Sequence, residues 1–97
     1  MKHPVQTTPA DAAQLLAIRG LSFVAEDGDR LGRFLALTGI GPAEIRVRAG
    51  DPVFLGGVLD FLLGDDAMVV EFAEWAEVGP ETVMTARQLL PGGIVEN

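Results

Sequence analysis

The chain has 97 residues, 48% of them apolar, with a formal net charge of -7, a single histidine and no cysteine. One domain of this length can bury about 60 to 65% of its unfolded surface, so it needs no staples, and without thiols it has neither disulfides nor thiolate metal sites. His3 lies outside any periodic segment, so no histidine relay or imidazole metal site is expected.

The charge is unevenly placed. Residues 19 to 48 carry five arginines against four acids, whereas residues 51 to 97 carry nine acids and only Arg87. Such a field disfavours nucleic acid over most of the surface. The mean hydropathy of +0.31 is high for so short a chain, which raises the expectation of a self-association surface. No apolar run approaches the roughly 18 residues that span a bilayer, and the start Met1-Lys2-His3-Pro4 lacks the apolar stretch of a secretory signal. A cytoplasmic protein with no membrane association is the expectation.

Residues 1 to 7 read as a loose arm. Thr8, Pro9 and Asp11 then form an N-cap, a first-turn proline and an acidic capping box for a first helix reaching about Glu26. Its apolar arc contains Leu16, Ile18, Leu21, Phe23 and Val24, and Gly20 marks either a weak point or a close helix contact. Asp27 caps a second helix through Leu37, with Leu31, Phe34, Leu35 and Leu37 at the spacing of one buried face. Gly39 suits a left-handed stop, and Gly41-Pro42 restarts the chain as a short third helix to about Ala49.

Asp51-Pro52 opens the fourth helix, residues 52 to 63, the most apolar element and the expected centre of the bundle. Gly56, Gly57, Asp60 and Gly64 gather on one side of it, a side that either faces solvent or is crossed closely by another backbone. The fifth helix starts near Asp65-Asp66 and carries Val69, Phe72, Trp75 and Ala76 inward, with Trp75 partly exposed because Glu74 and Glu77 flank it and its N–H needs a partner. Gly79-Pro80 opens the sixth, with Val83, Ala86, Leu89 and Leu90 as its inner stripe, and residues 92–97 form a loose tail.

The apolar residues around Gly41-Pro42 and Gly79-Pro80 coincide at an offset of 38 positions: Leu31 with Val69, Phe34 with Phe72, Leu37 with Trp75, Ile40 with Val78 and Ile45 with Val83. The expectation is a single all-α domain, a compact bundle of five to six short helices with an internal two-fold repeat. Its units are about 9–49 and 51–90, packed face to face around the first and fourth helices. Gly39, Gly41, Pro42, Gly79 and Pro80 are its structural turns.

The segments Arg30-Leu31-Gly32-Arg33-Phe34-Leu35-Ala36-Leu37-Thr38-Gly39-Ile40-Gly41-Pro42 and Asp51-Pro52-Val53-Phe54-Leu55-Gly56-Gly57-Val58-Leu59-Asp60-Phe61-Leu62 resemble the domain of unknown function 3572 family, small proteins of alphaproteobacteria. The resemblance covers roughly residues 10 to 92. It implies a bacterial cytoplasmic protein and transfers no catalytic residue. The family's Asp-Pro-Glu-Arg start to the second helix is Asp27-Gly28-Asp29-Arg30 here, which loosens that turn.

Candidate sites are few. Asp65, Asp66 and Glu71 match no calcium loop and read as helix-start acids. Asp60 stands alone on an apolar helix and reads as a residue of its exposed edge, with Arg19 or Arg87 as the donors it would need if buried. The hairpin at 38–48 is similar to the turn of helix-hairpin-helix DNA-binding proteins, with Arg30, Arg33, Arg46 and Arg48 as its phosphate contacts, yet the second copy of that turn is flanked by acids. The leading expectation is a noncatalytic helical interaction module without cofactor, a homodimer or an adaptor for another protein. Its partner surface comprises Leu15, Leu16, Gly56, Gly57, Asp60 and Trp75. A weak DNA- or RNA-binding protein using the 38–48 hairpin, or a small-ligand-binding regulatory domain, is the alternative.

Overall fold

The structure is a computed structural model and is described for residues 8–92. The expected loose arm, His3 and the tail beyond Gly92 lie outside the described residues. Within them the chain forms six helices and no strand: α1 Pro9–Ala25, α2 Gly28–Thr38, α3 Pro42–Arg48, α4 Pro52–Leu63, α5 Asp66–Ala76 and α6 Pro80–Gln88.

Local chemistry sets these boundaries. Thr8 Oγ1 accepts the Asp11 amide at 3.0 Å while Asp11 accepts the Thr8 amide, closing the capping box. The carboxylates of Asp27, Asp51 and Asp65 accept the amides of Asp29, Val53 and Met68 and start α2, α4 and α5. Each such cap contributes about 1 kcal/mol over alanine. Where a glycine precedes the helix, Glu44 compensates at α3 by accepting the Gly41 amide at 2.9 Å. Gly39 ends α2 in the left-handed region at φ 72°.

The apolar stripes assemble around α1 and α4, which make the most extensive helix contact in the molecule. Gly20 permits that approach: a Cβ on it would sit 3.0 Å from Leu62 Cδ1. The core is wholly apolar, with Ala17, Val24, Leu55, Val58, Leu59 and Leu62 essentially inaccessible between the two helices and their neighbours. α2 packs on α1 and α5 on α4, while α6 lies across both α1 and α4.

Two aromatic clusters tie the outer helices inward. Phe34 of α2 meets Phe61 of α4 at 5.3 Å between centroids and Phe54 at 5.8 Å, both edge to face. Phe72 of α5 meets Phe23 of α1 at 5.4 Å, and Trp75 flanks both rings. Each such pair adds about 0.5 to 1.5 kcal/mol beyond its area. The pairs Phe34–Phe61 and Phe72–Phe23 are related by the 38-position offset, as are the bounds of α2 and α5 and the starts of α3 and α6. The third helices are not equivalent in packing. α6 buries Val83 and Ala86, whereas no residue of α3 is buried.

Three expectations of burial are corrected. Leu37 is 75% exposed because α3, the element that would cover the end of α2, stays at the edge of the bundle. Ile18 is 40% exposed, on a part of α1 that no neighbour covers completely. Leu89 is 42% exposed because Val83, Ala86 and Leu90 already form the core ridge of α6, and Leu89 falls on the adjoining ridge with Thr82 and Thr85.

Candidate functional site

The ridge that carries Leu89 borders an open groove of about 520 Å³ between α1 and α6. Pro9, Ala12, Leu15, Leu16 and Arg19 form its α1 wall. Thr82, Thr85, Ala86 and Leu89 form its α6 wall, with Val78 from the α5–α6 turn at one end. Capping starts α1 with Pro9 at the groove mouth, and the three- and four-residue spacing of a helix then repeats Ala12, Leu15, Leu16 and Arg19 along it.

The lining is almost entirely apolar. Its polar groups are the Thr82 and Thr85 hydroxyls and the Arg19 guanidinium, and it contains no carboxylate in a chain of net charge -7. Leu15 projects from the rim at 58% exposure, while Leu16 beside it is buried in the floor. The Arg19 guanidinium stands 5.8 Å from the centroid of the Trp75 ring, itself partly exposed. This set of side chains offers shape, apolar contact and one cation.

Of the sequence-derived surface, Leu15 and Leu16 belong to this groove, and Trp75 adjoins it through Arg19. Gly56 does not. It is buried where the chain itself crosses: a Cβ there would lie 2.9 Å from the Pro91 carbonyl oxygen and 3.0 Å from Arg87. Asp60 accepts a hydrogen bond from Arg87 Nε at 2.7 Å and holds α6 to α4. Gly57 has open space above it but no partner from the groove. Gly56 is therefore an internal joint, whereas Asp60 stays half-exposed while it pairs with Arg87 and Gly57 faces open space.

The four arginines of the hairpin are divided between two tasks. The Arg30 guanidinium lies 3.9 Å from the Phe23 centroid, donates to the Phe23 carbonyl at 2.8 Å and pairs with Asp27, so it is a joint between α1 and α2. Arg33 reaches the α5 cap Asp65 at 3.6 Å. Arg46 and Arg48 are exposed on α3, with no ion-pair partner among the described residues. No group of three or more metal-ligating side chains is gathered among the described residues, and Asp65 serves as a cap. No helix there is long and apolar enough to cross a membrane.

The residues that sequence reasoning missed are Thr82, Thr85 and Leu89. Their signal was a second ridge of uncharged residues, at 82, 85 and 89, running beside the core ridge at 83, 86 and 90. The model of the family described as protein of unknown function (DUF3572) matches residues 10–93, which takes in all six helices and the groove except Pro9. No curated protein and no solved structure matches the chain. The chain belongs to the DUF3572 family.

Proposed function

We propose that this protein is a noncatalytic, cytoplasmic interaction module and that the α1/α6 groove is its docking surface. The observation that carries the reading is the lining: apolar over almost its whole extent, free of carboxylates, and rimmed by Leu15 and Leu89, which are exposed in the free chain. Such a surface gains free energy by being covered. It has a cation and two hydroxyls to orient a partner but no pair of titratable groups to move a proton.

Leu37 on α2 and Val47 on α3 are the competing exposed apolar side chains, at 75% and 81% exposure. Neither lines the α1/α6 groove, and exposed arginines flank Val47 on both sides in sequence. Size analysis of the complex in extracts of the producing cell distinguishes the two regions. Ala12→Glu and Thr85→Glu place a carboxylate in the groove from exposed positions, and burying it unpaired costs several kcal/mol, about 2 to 5 by analogy with other buried charges. Both variants should run as free chain while Leu37→Glu and Val47→Glu keep the complex. Loss of the complex in the second pair with retention in the first overturns the reading. Arg46→Glu/Arg48→Glu should also keep it, whereas loss of salt-sensitive DNA retention in that variant would favour the nucleic-acid alternative.

A further inference from the structure

The helix that forms one wall of the groove carries a symmetric charge pattern around Leu15. On α1, Asp11, Leu15 and Arg19 follow one another at four-residue steps and so form a single surface ridge. Leu15 is its midpoint, exposed by 58%, with a carboxylate one step toward the N-terminus and a guanidinium one step toward the C-terminus. Two copies of such a ridge, laid antiparallel about a two-fold axis through Leu15, bring Asp11 of each opposite Arg19 of the other. Both charges are exposed in the free chain, and neither has an ion-pair partner among the described residues.

We infer that the occupant of the α1/α6 groove is a second copy of this chain, docked through antiparallel α1 helices with Leu15 at the two-fold axis and reciprocal Asp11–Arg19 pairs on either side. The inference rests on the docking role of the groove and adds the identity and register of the partner. A two-fold interface must be self-complementary, each copy supplying both a projection and a recess. Leu15 is the projection, and the recess lies between it and Thr82, Thr85 and Leu89. The absence of carboxylates from the lining matters most for this occupant, because a partner of the same sequence carries the same excess of negative charge. Asp11 enters at the groove's end, where it meets the only cation of the lining.

Sedimentation equilibrium on the purified full chain tests this by charge exchange. Asp11→Arg alone sets arginine against Arg19, and Arg19→Asp alone sets aspartate against Asp11, so each should weaken the dimer about tenfold or more. An equimolar mixture of the two single variants, and the double variant carrying both changes, should each regain the wild-type dimer within about threefold. The double variant still lacks the carboxylate that caps α1, so its recovery cannot come from a repaired helix start. Arg19→Asp leaves the capping box intact, and circular dichroism verifies that it is folded.

Wild-type dimerisation with single variants unchanged, or with no recovery in the mixture, overturns the inference. A chain that is monomeric at every concentration also overturns it. In that case a complex in cell extracts that Ala12→Glu abolishes keeps the groove as a docking surface for another protein, so the two failures are distinguishable.

Discussion

Arg87 Nε donates to Asp60 Oδ1 at 2.7 Å, and through this bond α6 is drawn against α4. The Arg87 side chain is 12% exposed and also donates from Nη1 to the Leu90 carbonyl at 3.1 Å. At the positions 38 residues earlier, Ala49 replaces Arg87 and Ser22 replaces Asp60, and Ile18 stands where α4 has Gly56. The α3–α1 pair thus lacks the tie and has a bulky side chain where α6 finds a gap, which accounts for α3 remaining at the edge. Asp60 is half exposed, so solvent screens much of the pair, and Arg87→Ala should cost about 1 to 3 kcal/mol through the lost pair and backbone bonds together. Arg87→Lys should recover less than half of that in a urea titration, because an ammonium cannot replace the fork that serves Asp60 and Leu90 at once.

Gly56 and Gly57 are adjacent and should respond oppositely to alanine. A methyl on Gly56 meets the Pro91 carbonyl at 2.9 Å and must displace backbone, so Gly56→Ala should destabilise by about 1 to 3 kcal/mol. A methyl on Gly57 meets nothing within 4 Å, so Gly57→Ala should stabilise by about 0.5 to 1 kcal/mol through helix propensity. Thermal denaturation of the two variants against wild type reads both signs, and equal effects would remove the proposed crossing at Gly56.

Glu77 occupies, at φ 61°, the left-handed position that Gly39 occupies 38 residues earlier at φ 72°. The Val78 amide donating to the Ala73 carbonyl at 2.9 Å holds it there. A side chain in this region costs about 1 kcal/mol, so Glu77→Gly should stabilise by about that amount and Gly39→Ala should destabilise by a similar one. Guanidinium midpoints at unchanged slope are the measurement.

Asp27 supplies a pH dependence of known sign. Its carboxylate accepts the backbone amides of Arg30 and Asp29, with the nearby Arg30 charge adding to the effect, and together they hold its pKa below the ordinary 3.8. A depressed folded-state value stabilises the fold at every pH above 3.8 and loses that contribution as pH falls below it. Asp27→Asn keeps an acceptor and removes the titration. The stability difference between wild type and variant should therefore be constant near neutrality and shrink as pH is taken down to about 2. A difference that holds constant throughout would mean that the cap does not titrate with folding.

Features set by neighbours in sequence were legible from it. Thr8 and Asp11, the capping aspartates at 27, 51 and 65, and the stop at Gly39 depend on side chains within three residues of the backbone they serve. The reversed conformation of Glu77 was not legible, because its side chain carries no preference for it and the Val78–Ala73 bond imposes it. The side of α4 around Gly56 left two readings open, since a glycine cluster looks the same whether solvent or a passing backbone faces it. The groove was legible only at Leu15 and Leu16. Its α6 wall exists because Val83, Ala86 and Leu90 pack into the core and Arg87 pairs with Asp60, relations between residues far apart in sequence that periodicity does not contain.

A photo-crosslinking amino acid inserted singly at Leu15, Leu89, Leu37 and Val47 in the producing cell probes the docking surface most directly, since all four side chains are exposed in the free chain. Protein adducts should form from Leu15 and Leu89, and those from Leu37 and Val47 should stay at background. Adducts confined to Leu37 and Val47, or equal at all four positions, would contradict a docking role for the α1/α6 groove.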